Sequence, residues 1–266
     1  MSLKNTEKLL RIMSQLRDSE MGCAWDLKQD FISLIPHTIE EAYEVADAAE
    51  RNDMGDLRSE LGDLLLQVVF YSQMATEEGL FNFEQVAETI CEKLINRHPH
   101  IFAGAVFKND DERKQAWEMA KERERAAKKT ETPSTSVLEG IANTIPALIK
   151  CEKIQDRAAH HGFDWQQTEP VFDKVLEELN EIKEAWKSGN QAHIQEEVGD
   201  LLLVTVNLAR HLKVNPEIAL KESNQKFTRR FHYIEQQVKQ SGRTLRECKL
   251  SELDAYWDQA KIVLKK

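Results

Sequence analysis

Glycine and proline are scarce in this chain, at 10 and 6 of 266 residues. Few positions therefore favour turns or break helices, and with Glu, Lys, Leu and Ala abundant the composition leans helical. Basic excess is missing too: the net charge is −10. That argues against a nucleic-acid-binding face, which needs a basic surface. It leaves room for a small phosphate-bearing ligand approached through metal cations. The four cysteines (Cys23, Cys91, Cys151, Cys248) are scattered, with no Cys-x-x-Cys pair and no secretory signal, so a reduced, cytoplasmic chain is expected. Apolar stretches such as Leu64–Phe70 are far too short to span a membrane. There is no Gly-x-x-x-x-Gly-Lys loop and no Ser or Cys nucleophile signature.

What is present is a carboxylate pattern that occurs twice. Glu41, Glu44, Glu60 and Asp63 are spaced three, sixteen and three residues apart, and so are Glu178, Glu181, Glu197 and Asp200, 137 positions later. Each copy ends alike, in Glu60-Leu-Gly-Asp63-Leu-Leu-Leu and Glu197-Val-Gly-Asp200-Leu-Leu-Leu. The repeat implies two tandem domains, 1–128 and 137–266. They are joined by a linker at 129–136, whose Thr-Pro-Ser-Thr composition marks it.

No segment alternates as a strand does. Apolar spacing predicts helices over 4–18, 36–51, 56–78, 83–97 and 110–128, then 137–160, 169–187, 191–212, 216–240 and 251–265. The fold class is therefore all-α. Each acid set is mirror-symmetric about a predicted turn, near Asn52 and at Gly189. Folding there as antiparallel hairpins brings Glu41 level with Asp63 and Glu44 level with Glu60, and likewise in the second copy. Four converging carboxylates oppose one another's ionisation. A hard divalent cation, Mg²⁺ or Mn²⁺, relieves that cost and suits an all-oxygen shell. Gly62 and Gly199, beside each last acid, are expected either to allow close helix approach or to pack with no chemical role.

A cation pair and a Trp-x-x-Ala-Lys string follow each acid set: Lys93, Arg97 and Trp117…Lys121, then Lys226, Arg230 and Trp257…Lys261. A four-residue step puts both cations on one helix face, where they can grip phosphate oxygens. A tryptophan one turn before a lysine can stack on a base. Arg97-His98-Pro99-His100 and His160-His161 look metal-like, but helix ends explain them better, and neither sits at a Glu-x-x-His spacing near the acids.

Several strings together resemble the MazG family of nucleoside triphosphate pyrophosphohydrolases in its two-domain form. They are Cys23-Ala-Trp25-Asp26, Glu40-Glu41-Ala-Tyr-Glu44, Glu60-Leu-Gly-Asp63, Arg97-His-Pro-His-Ile-Phe102, Gly162-Phe-Asp-Trp165, Glu177-Glu178-Leu-Asn-Glu181, Glu197-Val-Gly-Asp200 and Asn207-Leu-Ala-Arg-His211. The resemblance implies Mg²⁺-dependent hydrolysis of a nucleoside triphosphate, such as ATP, to monophosphate and pyrophosphate by water attack on the α-phosphorus. It also implies a homodimer whose helices complete a four-helix bundle around the ligand. By position, Glu178, Glu181, Glu197 and Asp200 would hold metal. Lys174, Glu177, Glu178, Glu196, Asp200, Lys226, Arg230, Trp257 and Lys261 would contact the nucleotide, with Glu177 the candidate general base. The second half is expected to be the catalytic one. In the first half Ala24 replaces the family's proline and Asp30-Phe31 stand where Thr-His is usual. Glu41, Glu44, Glu60 and Asp63 remain a second possible metal set. Two other readings compete: a nucleotide sensor without turnover, and a dimeric helical interaction protein whose acids are merely solvated.

Overall fold

The computed structural model describes residues 3–127 and 136–264; residues 129–135 of the predicted linker lie outside them. Among the described residues all regular structure is helical. The chain divides into two compact units, Met1–Lys128 and Lys129–Lys266. The first holds α1 (Lys4–Leu16), α2 (Ile35–Glu50), α3 (Met54–Glu77), α4 (Phe83–Arg97), α5 (Pro99–Phe102) and α6 (Asp110–Ala127). The second holds α7 (Ala147–His160), α8 (Glu169–Ser188), α9 (Gln191–His211), α10 (Pro216–Gln240) and α11 (Leu250–Val263). No described helix is long and apolar enough to cross a membrane.

Each unit is organised on an antiparallel hairpin, α2–α3 and α8–α9. The turns form where short polar residues and glycine accept unusual backbone. Asn52 has φ 55° and Gly189 φ 71°, both left-handed. The next helix in each hairpin then begins with a side-chain cap. The Asp53 carboxylate accepts from the Gly55 and Asp56 amides at 3.1 and 3.0 Å. The Asn190 carbonyl accepts from the Ala192 and His193 amides at 3.1 and 3.4 Å. Helix α4 starts with a reciprocal capping box between Asn82 and Gln85, both bonds 3.0 Å. Replacing Asn82 by Ala should therefore cost about 1 kcal/mol, read as a lower denaturation midpoint of the first unit.

One expectation about boundaries needs correction. The helix expected from 137 begins only at Ala147. Pro146 bars helical backbone in the residue before it, and Gly140 sits at φ 75°. Pro99 stops α4 as expected but also opens the one-turn α5 as its first residue. Gly62 and Gly199 do not mediate close packing among the described residues, since a Cβ at either would meet nothing within 4 Å.

The cores differ. In the first unit Met13, Leu34, Val69, Phe70 and Met74 are buried together, with Leu9, Leu10, Phe31, Leu66, Tyr71 and Phe83 packed around them. The Trp25 ring meets Phe70 edge-on at 6.5 Å, and the Arg17 guanidinium lies 5.4 Å from the same ring. Arg17 also grips Glu77 of α3 with bonds of 2.9 and 2.6 Å, tying α1 to that helix. In the second unit the buried apolar residues of α8 to α11 are smaller: Val171, Ala185, Val204, Val206, Ile234, Val238 and Ala260. Its hairpin leaves Leu176, Trp186 and Leu202 at 61, 71 and 56 % exposure.

Candidate functional site

The hairpins bring the acids together. One carboxylate oxygen from each of Glu41, Glu60 and Asp63 lies within 4.8 Å of the others, and the same holds for Glu178, Glu197 and Asp200. Glu44 and Glu181 stand outside these tight triads. Burial, then the charges of Asp63 and Glu44, push the Glu41 carboxyl up. Burial, then Glu44, does the same to Glu60. Glu181 is raised by burial, then by Glu178 and Glu197. The partners that matter across each hairpin, 41 with 63, 44 with 60 and 181 with 197, are those the mirror symmetry predicts. Converging carboxylates, of which Glu41, Glu60 and Glu181 are held above their ordinary range, are a donor set that fits a divalent cation, whose charge would remove the repulsion.

The surroundings of the two triads differ in sign. In the second unit the Lys174 ammonium bridges Glu178 at 2.7 Å and Glu177 at 2.9 Å. Those hydrogen bonds, Glu178 first, hold the lysine well above its ordinary range. His193 Nε2 lies 3.0 Å from Glu197. Shifting by the 137-residue repeat puts His37 and Asp56 at these places in the first unit. His37 is 3.9 Å from Glu40, and Asp56 pairs with Arg51 while adding to the repulsion on Glu60. Glu177 is thus tied to the second triad through Lys174 without belonging to it. Glu196 is exposed on α9.

Arg97 and Arg230 each meet the tryptophan of their own unit, and no contact of these cations or rings with the triads is found among the described residues. Arg230 lies 5.4 Å over the Trp257 ring, which also contacts Phe227 at 5.1 Å between centroids. Lys226 is exposed, and Lys261 pairs with Asp258 at 2.9 Å. None of Lys226, Arg230, Trp257 and Lys261 lines the cavity beside the second triad. In the first unit Arg97 lies 5.5 Å over Trp117 but is also clamped by Glu124 through bonds of 2.9 and 2.5 Å. Counting from the two tryptophans, Leu264 occupies the place of Glu124. Arg230 accordingly has no carboxylate partner among the described residues, and Arg97 does. Lys93 is half-buried and Lys121 pairs with Glu118 at 2.7 Å.

That cavity has a volume of about 600 Å³. Lys174, Glu178 and Asp200 line it, together with Trp165, Leu203, Val204, Asn207 and Arg210 among others. Its wall includes the loop Gly162–Trp165, anchored by Asp164. That carboxylate accepts from Arg210 Nη2 at 2.5 Å and meets His211 Nε2 at 3.0 Å. Burial pushes Asp164 up, yet the bonds from Arg210 and His211 outweigh it and hold the carboxyl below its ordinary range. The repeat register places Phe70, a buried core residue, where the second unit has Asn207. A first-unit cavity of about 250 Å³, lined by Leu10, Gln73 and Phe83 among others, touches none of the acids. Sequence reasoning gives no role to His193, Gln155, Asp164, Asn207 or Arg210. Gly162-Phe-Asp-Trp165 and Asn207-Leu-Ala-Arg-His211 stand out as family strings, and that is the available signal.

The chain matches the MazG nucleotide pyrophosphohydrolase domain twice, over residues 29–102 and 166–235. It is 46 % identical over 261 residues to the nucleoside triphosphate pyrophosphohydrolase of Escherichia coli (strain K12), covering 97 % of this chain and 98 % of that one. It is 42 % identical over 258 residues to the nucleoside triphosphate pyrophosphohydrolase/pyrophosphatase MazG of Thermotoga maritima, covering 96 and 95 %. It is also 38 % identical over 251 residues to the uncharacterized protein YabN of Bacillus subtilis (strain 168), of which it covers half. Two acid hairpins, each within a matched segment, and likeness along nearly the whole chain lead to one assignment: the chain belongs to the MazG family of nucleotide pyrophosphohydrolases and is an enzyme of that class.

Proposed function

We propose that the second unit hydrolyses nucleoside triphosphates to the monophosphate and pyrophosphate, in a Mg²⁺-dependent reaction that Mn²⁺ can also support. The observation that carries this reading is a carboxylate triad opening onto a nucleotide-sized cavity, with Glu178 and Asp200 common to both. Glu178, Glu181, Glu197 and Asp200 would hold the cation. When bound, it supplies Lewis-acid chemistry by neutralising charge on phosphoryl oxygens. Lys174 and His193 fix the carboxylates of Glu178 and Glu197 for that task. Water attacks the α-phosphorus, the bond from that phosphorus to the bridging oxygen of the β-phosphate breaks, and pyrophosphate departs. Glu177, oriented by Lys174, takes the proton of the attacking water. Lys226 and Arg230 hold the triphosphate, and Glu196, Trp257 and Lys261 border the nucleotide.

The exposed apolar face of α8–α9 supports a homodimer in which a second copy closes a four-helix bundle over the site. Gly199, with open space around it, lies on this hairpin. The biological role is cleaning or control of the cytoplasmic nucleotide pool. The first unit keeps a complete acid set but an occupied Arg97 and a filled core, which supports metal binding without turnover there.

Incubating the full chain with a panel of triphosphates, with and without Mg²⁺, and identifying the products tests this. Monophosphate plus pyrophosphate, only with metal, is expected. Diphosphate plus phosphate would sink the α-phosphorus assignment. Nucleotide binding without products would favour a sensor, and no binding a purely structural protein.

A further inference from the structure

Residues 161–168 join α7 to α8 and are fastened at two points. The first is the end of α7, where the Gly162 amide donates to the Ala159 carbonyl and the Phe163 amide to the Ala158 carbonyl, both at 2.9 Å. Gly162 takes the left-handed conformation there, with φ 86°. Among the described residues, 164–167 make no backbone–backbone hydrogen bond. Every hydrogen bond that leaves this stretch ends on Asp164 Oδ1, the second point. That oxygen accepts from Arg210 Nη2 at 2.5 Å and meets His211 Nε2 at 3.0 Å. It also takes the Trp165 amide at 3.0 Å. The side chains of Asp164, Arg210 and His211 are 21, 16 and 11 % exposed. A pair so shielded from water interacts more strongly than the same pair on the surface.

The corresponding stretch of the first unit is fastened along its length. The amides of Cys23, Leu27, Lys28 and Gln29 donate to backbone carbonyls at 2.8, 3.0, 3.1 and 3.2 Å. Arg17 Nη1 donates to the Asp26 and Gln29 carbonyls at 2.6 and 3.3 Å. The Trp25 ring meets His37 at 5.9 Å and Phe70 at 6.5 Å. In the second unit Phe163 is 84 % exposed and Trp165 40 % exposed, and neither has a ring partner among the described residues. Both nevertheless line the cavity, as do Gly162, Asp164 and Arg210. A segment with few backbone bonds and little buried apolar contact opens at low free energy.

We propose that residues 162–165 form a flap over the cavity and that Asp164 is its positioning residue. With Arg210 and His211 engaged, the flap stands against α9; with them released, it swings clear about Gly162. This rests on the reading that the nucleotide of the proposed reaction enters the cavity. Asp164 belongs to neither triad and acts only through the flap. It therefore governs how tightly substrate is held, not how fast the bond to the α-phosphorus breaks.

Asp164→Asn keeps the shape of the side chain and an acceptor oxygen but removes the charge. In the full chain it should raise KM about tenfold, the scale of one hydrogen bond to a charged group, and leave kcat within about twofold. Hydrogen exchange read by NMR should quicken about tenfold at the Phe163 and Trp165 amides and stay unchanged along α8 and α9. A merely structural Asp164 would lower kcat through loss of folded enzyme, or speed exchange along both helices, at constant KM. Either result overturns the proposal, and so does an unchanged KM. A second measurement needs neither the variant nor turnover. Saturating α,β-methylene analogues of ATP and UTP, with Mg²⁺, should slow exchange of the same two amides in the unaltered chain. No slowing would overturn the flap even if pyrophosphate release is normal. Slowing without hydrolysis of the parent triphosphates would uphold the flap and remove the proposed reaction instead.

Discussion

Glu197→Gln should lower pyrophosphate release by roughly three orders of magnitude, about 4 kcal/mol in the barrier, while the helices survive by circular dichroism. Gln keeps the volume of the side chain but removes one of the few negative charges facing the cation position. It also brings an amide N–H₂ into a triad whose oxygens converge within 4.8 Å. His193, 3.0 Å from Glu197, would lose its charged partner as well. The same change at Glu60 should alter release by no more than about twofold, a change close to measurement scatter on the free-energy scale. The grounds for expecting this difference are the first unit's core, closed by Phe70, and its Arg97, already paired with Glu124. Unchanged activity in Glu197→Gln would remove the assignment of chemistry to the second unit. A comparable loss in Glu60→Gln would show that the halves are ranked wrongly.

Arg230→Ala should lower kcat/KM about a hundredfold, or about 2.7 kcal/mol, mainly through KM. The guanidinium is held over the Trp257 face at 5.4 Å but has no carboxylate to satisfy it among the described residues. Such a cation is poised for an anionic ligand, and a charge-assisted hydrogen bond to phosphate is stronger than a neutral one. Arg97→Ala is the matched control. It breaks an ion pair with Glu124 and should destabilise the first unit while leaving kcat/KM within about twofold. Steady-state kinetics of the two variants side by side decide the matter, and equal effects would mean that the Glu124 clamp has no bearing on which arm binds substrate.

The features legible in the sequence are those with local causes. The convergence of Glu41, Glu60 and Asp63 follows from helix periodicity plus a turn at Asn52, and the second set from the same logic at Gly189. Helix ends at Arg97 and Ser188 follow from Pro99 and Gly189. The late start of α7 is not what apolar spacing over 137–146 predicts, because the backbone restriction at Pro146 prevails over that spacing in the fold. The cavity is not legible, since it depends on α7 lying against α9 and on Asp164 tethering its loop to Arg210, contacts across 46 residues. Arg230 and Trp257, both expected at the nucleotide, meet each other. Their placement away from the cavity wall is beyond a pattern that carries no distance between hairpins. The contrasts of Glu124 with Leu264 and of Phe70 with Asn207 are present in the sequence. They become informative only once geometry shows what each residue touches.

The exchange of Phe70 for Asn207 has a thermodynamic side. Truncating a buried phenylalanine costs a core about 3–5 kcal/mol, and the second unit carries Asn207 at that place, on the wall of a cavity of about 600 Å³. A substrate seated there in the proposed reaction would cover apolar wall that no side chain of the second unit covers. The nucleotide of the proposed reaction would then act in part as a core side chain that is not covalently attached, so that the stability of the second unit would rise with every substrate it takes up and fall with every product it releases.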